Sequence, residues 1–243
     1  MKISRLFKLI ICAALTFPMI GMLFFIGDPK AASLQVGSVD LESGTLNVRS
    51  GPGVQYKRIG ALKNGATVTV YYQTKNGWSE IRYNKKKSYV SSQYLRVHLQ
   101  MKPFVAKGIT DKVIKAQRKT WEKNYTKKQI YSMMSPHYTT SYIEKYFKQQ
   151  MRTAGKDKNG NQLFHVIETE IWGYSLDTID WNLEYQPKKP TIKYYKKNGK
   201  EYLEVSQFMV DELSGNHTST LYLLKESTKA NWKVYKYERN FND

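Results

Sequence analysis

Between Val36 and Val97 the chain is cut into short runs by turn residues, and this punctuation constrains the fold more than any other feature. Ser50-Gly51-Pro52-Gly53 is a turn cluster, and Asn64-Gly65 and Asn76-Gly77 are dipeptides suited to the positive φ of tight hairpins. The runs between them alternate. In 66–71, Ala66, Val68 and Val70 share one face; in 78–83, Ser79, Ile81 and Tyr83 lie opposite Trp78. Lys85-Lys86-Lys87 reads as a charged turn before a last run at 88–90. No helix survives such spacing, and the pattern predicts a small all-β barrel over 34–99.

The same residues carry a resemblance. Leu46-Asn47-Val48-Arg49-Ser50-Gly51-Pro52, then Ile59-Gly60, Leu62-Lys63-Asn64-Gly65, Gly77-Trp78 and Tyr89-Val90-Ser91-Ser92-Gln93-Tyr94-Leu95 resemble the bacterial SH3 domain in order and spacing. Ser88 departs from it, standing where the family has Gly, and implies a slightly different turn. The resemblance implies a targeting module whose ligand is peptidoglycan. Tyr56, Trp78, Tyr83 and Tyr89 are candidate aromatic platforms, and Arg49 and Lys57 candidate charges. Each has a plainer reading: Trp78 packing on the barrel, Arg49 bracing a turn.

The N-terminus reads as an export signal. Lys2, Arg5 and Lys8 precede an uncharged run at 9–26, and Ala31-Ala32-Ser33 follows. Residues 1–33 are expected to be a cleaved signal peptide or a retained membrane-anchor helix, with the body outside under either reading. The single Cys, Cys12, lies within the apolar run, which excludes a disulfide scaffold and Cys-based zinc chemistry, and fits the Cys-poor secreted proteins of Gram-positive bacteria. The 243 residues hold 39 Lys+Arg against 20 Asp+Glu, a net +19. Export removes nucleic acid as a routine partner and leaves anionic wall polymers and anionic lipid head groups. The charge is expected to spread over both domains, in turns such as Lys85–Lys87, Lys188-Lys189 and Lys196-Lys197.

Beyond the barrel, 100–109 reads as a linker containing Pro103 and Gly108. An α+β domain is expected over 110–243. Its first helix starts at Thr110-Asp111. A second spans 126–134 with Thr126 as N-cap, and a third runs from 141 to about 153 with Thr140 as cap. Strands follow at 164–174, 178–185, 191–195, 201–209, 217–225 and 231–239, with hairpin turns such as Asn198-Gly199. About three helices on a curved antiparallel sheet is the expected architecture. By element order it resembles the nuclear transport factor 2-like fold.

No catalytic pattern emerges. His98, His137, His165 and His217 form no i, i+4 pair, and neither HExxH nor GxSxG occurs. No catalytic residue, metal ligand or cofactor is assigned. Glu168 and Glu170 would sit about 7 Å apart on one strand face, a solvated pair before it is an acid–base pair. Asp177, Asp180 and Glu184 carry less signal still. The expected function is that of an exported wall protein, secreted or wall-associated, docking on peptidoglycan through its SH3 domain. Its C-terminal domain would bind a protein or assemble without catalysis. The alternatives are a wall-active enzyme with an unrecognised C-terminal site, or an envelope-complex component held in the membrane through 9–26.

Overall fold

The computed structural model describes residues 34–167, 175–213 and 215–241. The expected signal or anchor at 1–33 and the Glu168/Glu170 pair lie outside them. Among the described residues no helix is long and apolar enough to cross a membrane.

The first part is the expected all-β unit. Its strands are β1 (Gln35–Val39), β2 (Thr45–Arg49), β3 (Arg58–Lys63), β4 (Thr67–Val70), β5 (Tyr72–Gln73), β6 (Trp78–Tyr83), β7 (Lys86–Ser91) and β8 (Leu95–Leu99). A 3₁₀ turn, Ser92–Tyr94, joins the last two. One sheet runs β3-β2-β7-β6-β5, and β1 lies between β4 and β8 in a second. The alternation works as read: Leu46, Val48, Val70, Ile81 and Val90 face inward with Val39, Leu95 and Val97. Gly60 is required by a close approach, since a Cβ there would lie 2.4 Å from the Tyr83 ring.

Two local readings are corrected here. The charged turn is Asn84-Lys85, with φ of 49° and 63°, the positive pair of a type I′ hairpin. Lys86 and Lys87 belong to β7, where Lys87 pairs with Glu80 at 2.8 Å. Ser88 does not alter a turn: it is buried inside β7 opposite Ile81, and its hydroxyl donates to the Lys86 carbonyl at 3.0 Å. A Ser fits where a Gly would because its oxygen is satisfied locally.

Residues 103–109 of the expected 100–109 linker are helix. α1 spans Pro103–Lys119, so the helix begins two turns before Thr110-Asp111. Proline at the first helical position explains this, because its φ is preset and its missing N–H would be unbonded there anyway. α2 spans Lys127–Met134 and is capped by Thr126 in a reciprocal box with Gln129. α3 spans Thr140–Gln150 and is capped by Thr139, one residue earlier than expected. It stops where Met151 opens β10 (Met151–Lys156), which turns into β11 (Gln162–Val166). These two strands form a small sheet with β9 (Tyr125–Thr126).

The remaining strands are β12 (Thr191–Lys197), β13 (Lys200–Met209), β14 (His217–Lys225) and β15 (Lys233–Phe241). The strand expected at 178–185 does not form. The Asp180 carboxylate instead accepts from the backbone N–H groups of Asn182 (3.2 Å), Tyr185 (2.7 Å) and Gln186 (2.8 Å), and Leu183 adopts φ 61°. A side chain that takes the backbone donors leaves none for a ladder.

β8 of the barrel pairs with β12, with Leu99 opposite Tyr194, His98 opposite Tyr195 and Val97 opposite Lys196. One seven-stranded sheet therefore runs β15-β14-β13-β12-β8-β1-β4 through both parts, and residues 33–243 form a single compact unit. The helices cover one face of its β12–β15 half. Ile130, Met134, Tyr142 and Ile143 meet Leu203, Val205, Leu221 and Leu223 there in a closed apolar core.

Candidate functional site

Trp78 stands at the start of β6, and its backbone is pinned by Thr74. The Trp78 N–H donates to Thr74 Oγ1 at 2.9 Å, and that hydroxyl donates to the Trp78 carbonyl at 2.9 Å. Asn76, in the same turn, donates to the Pro52 carbonyl at 3.0 Å and ties it to the 50–53 cluster. Beside the half-buried indole opens a cleft of about 750 Å³ lined by Asp40, Glu42, Asn47, Arg49, Trp78, Gln93 and Tyr94, among others. A second cleft of about 540 Å³, between the 73–77 turn and Ser91–Gln93, also has Trp78 in its wall.

Of the candidate residues, the structure brings Arg49 and Trp78 together in the first cleft. Arg49 also braces the loop beneath it, its Nη1 donating to the carbonyls of Val54 and Tyr56 at 2.8 Å each. The guanidinium thus holds the cleft wall and lines it at once. Tyr56, Tyr83, Tyr89 and Lys57 do not line the cleft. The Tyr56 ring lies where a Cβ on Gly51 would be, 2.3 Å away. Tyr83 packs against the barrel core. Tyr89 sits on β7 opposite Arg49 and Glu80, with Lys87 5.7 Å above its ring.

The cleft also holds residues that the sequence pattern did not single out for a site. Lys197 and Asn198, from the β12–β13 hairpin, form part of its wall. Asp40 anchors that approach. Its carboxylate pairs with Lys197, accepts from Arg96 Nη2 at 3.0 Å, and lies 2.9 Å from Arg96 Nε. Burial raises the Asp40 carboxyl pKa, but hydrogen bonds from Arg96 and Lys197 outweigh it and hold the group below its ordinary value. The cleft therefore presents an aromatic face, amide and hydroxyl groups, and charges of both signs. That suits a small polar ligand such as a peptide.

A separate polar cluster lies on the helix-and-sheet half. Asp177 receives both nitrogens of Arg239, Nη2 at 2.5 Å and Nε at 3.1 Å, the Ser219 hydroxyl, and His217 Nε2 at 3.0 Å. Burial opposes ionisation of Asp177, yet these donors hold its carboxyl far below the carboxylate range. Ser219, Asp177 and His217 do not form a nucleophile relay. The serine hydroxyl donates to the carboxylate, and both imidazole nitrogens are engaged, by Asp177 and by the Gly215 carbonyl at 2.9 Å. Among the described residues no group of three or more His, Cys, Asp or Glu is placed to hold a metal ion.

The excess cations are unevenly shared, which corrects the expected spread. Residues 34–99 hold 10 Lys+Arg against 3 Asp+Glu, and residues 100–158, mostly the helices, hold 14 against 4. Residues 159–243 hold 11 against 12, so Lys188, Lys189, Lys196 and Lys197 lie in a stretch where carboxylates match the cations. Within 100–158, Lys107 pairs with Asp111 at 2.6 Å, and among the described residues no other cation of that stretch forms an ion pair.

The family comparison picks out the barrel. Residues 44–96 match the family model of the bacterial SH3 domain. A stretch of 65 residues is 40% identical to a probable endopeptidase p60 of Listeria innocua, covering 26% of this chain and 14% of that protein. Over 51 residues the chain is 47% identical to the probable endopeptidase p60 of Listeria welshimeri, 21% of this chain and 10% of that one. The chain thus spans well under a fifth of the length of these relatives.

Proposed function

Residues 44–96 being a bacterial SH3 domain, we propose that this is an exported, cell-wall-associated protein that docks on peptidoglycan through the cleft beside Trp78. One observation carries the reading: Trp78 and Arg49 of the SH3 segment line a pre-formed cleft, with Asp40 just ahead of that segment in the same wall. The resemblance to proteins named as probable p60 endopeptidases covers only 65 and 51 residues, about the size of one targeting domain, so it supports docking rather than hydrolysis. The cation-rich helices add a diffuse attraction to anionic wall polymers, weakened by salt. The helix-and-sheet half acts as a binding or assembly module without catalysis, its interior filled by side chains such as Tyr138, Tyr142 and Tyr146. The body lies outside the membrane, freed or tethered by residues 9–26.

Sedimentation of residues 33–243 with insoluble peptidoglycan at low and moderate salt tests the docking. Co-sedimentation that persists at moderate salt and falls in Trp78→Ala is expected. Equal recovery in the supernatant with and without peptidoglycan ends the reading. Hydrolysis of purified sacculi by the same protein would replace it with the wall-active enzyme.

A further inference from the structure

The walls of the Trp78 clefts do not all come from the SH3 segment. Lys197 and Asn198 line the first cleft, and Lys196, Lys197, Asn198 and Gly199 line the second. This hairpin tip lies outside residues 44–96 by about a hundred positions. Its placement is rigid for three reasons. β12 is hydrogen-bonded to β8 next to it. Asn198 and Gly199, with φ of 51° and 71°, close a tight two-residue turn. Asp40, itself a cleft residue, holds Lys197 while Arg96 holds Asp40.

We propose that the ligand site is shared by the two halves: Lys197 and Asn198 are binding residues, and Asp40 is the positioning residue that aims Lys197. Arg96 and Lys197 face Asp40, and Arg96 and Lys193 lie 4.0 and 3.9 Å from Glu204, so three cations meet two carboxylates and the Lys197 ammonium keeps charge to offer an incoming carboxylate. The Asn198 amide, at the turn, is placed to bond peptide N–H or C=O groups. The ligand class is a short peptide with a free carboxylate, which in the proposed setting is the stem peptide of peptidoglycan. This rests on the docking reading above and adds to it that the SH3 segment alone makes an incomplete site.

The experiment is sedimentation of residues 33–243 with insoluble peptidoglycan across a protein titration. The variants are Lys197→Met with Asn198→Gly, Asn198→Gly alone, Lys197→Arg and Trp78→Ala. Glycine suits the left-handed backbone at 198, so it removes the amide and keeps the turn. The double variant is expected to lose about tenfold to a hundredfold in affinity, the scale of a lost charge-assisted hydrogen bond. Lys197→Arg is expected to retain most of the binding, and Asn198→Gly alone to lose a few-fold. Thermal unfolding of each variant separates lost binding from lost fold. If the double variant unfolds, the Asn198→Gly and Lys197→Arg pair decides. Wild-type binding by the folded hairpin variants, with Trp78→Ala defective, overturns the shared site and leaves the docking reading standing. Absence of sedimentation by the wild type overturns both.

Discussion

The barrel buries Val39, Leu46, Val48, Val70, Ile81, Val90, Leu95 and Val97, an aliphatic core with small hydroxyls such as Ser79 and Ser88 beside it. The other half closes around Tyr138, Tyr142 and Tyr146, each at most 1% exposed, and keeps a charged Asp177 at its margin. Burying a tyrosine obliges its hydroxyl to find a partner. Tyr138 donates to the Val113 carbonyl at 2.7 Å, and Tyr146 meets Thr120 at 2.8 Å and the Trp121 indole N–H at 2.9 Å. Burial pushes both phenol pKa values up and keeps them neutral. The barrel is thus held by shape and strand pairing, and the other half also by polar groups that must be satisfied together.

The largest effect expected from breaking that contrast is at Asp177. Asp177→Ala leaves the Arg239 guanidinium without its carboxylate and is expected to cost about 3–5 kcal/mol in denaturant unfolding. The pH dependence has a definite sign. The folded carboxyl lies below its ordinary value of 3.8, so its contribution is present above that value and is lost as pH falls below it. A variant whose stability between neutral pH and pH 3 tracks the wild type would sink this account.

Ile81→Ala, at 0% exposure in the barrel, is expected to cost about 2–5 kcal/mol through lost packing alone, with little change in pH dependence. If its cost varied with pH as that of Asp177→Ala does, the two halves would not differ in kind. Tyr138→Phe keeps the ring and removes one hydrogen bond to the Val113 carbonyl, which retains its helical partner, and about 1.5 kcal/mol should be lost. A neutral result would mean that ring packing suffices there. The smallest effect is at the α2 cap, where Thr126→Ala is expected to cost about 1 kcal/mol, read as a modest fall in melting temperature. No measurable change would show that α2 is held by its buried face alone.

The two halves were also unequally legible. In the barrel, alternation and turn dipeptides are local, so the positions of Leu46, Val48, Gly65 and Ile81 follow from neighbours in sequence. The misreading of Ser88 as a turn residue came from a family habit rather than from its strand period. In the other half, Thr126 could be read as a cap because the capping box is written within four residues. Residues 178–185 could not be read as a loop, since Asp180 captures amides that an alternating pattern alone assigns to a ladder. Within the candidate site, Trp78 and Arg49 were legible from their motif. Lys197 and Asn198 were legible only as a hairpin.

From residue order alone come the small barrel, its turns, three helices ahead of an antiparallel sheet, and the basic, Cys-poor character of the chain. These rest on interactions a few residues long, where periodicity and turn chemistry act. The joining of β8 to β12, the convergence of Arg239, Ser219 and His217 on Asp177, and the arrival of Lys197 beside Trp78 belong to the folded state. They connect positions roughly forty to over a hundred and fifty apart. Whether such residues meet depends on which strand edge is free to pair and which buried charge must be answered, and no short window of sequence records either.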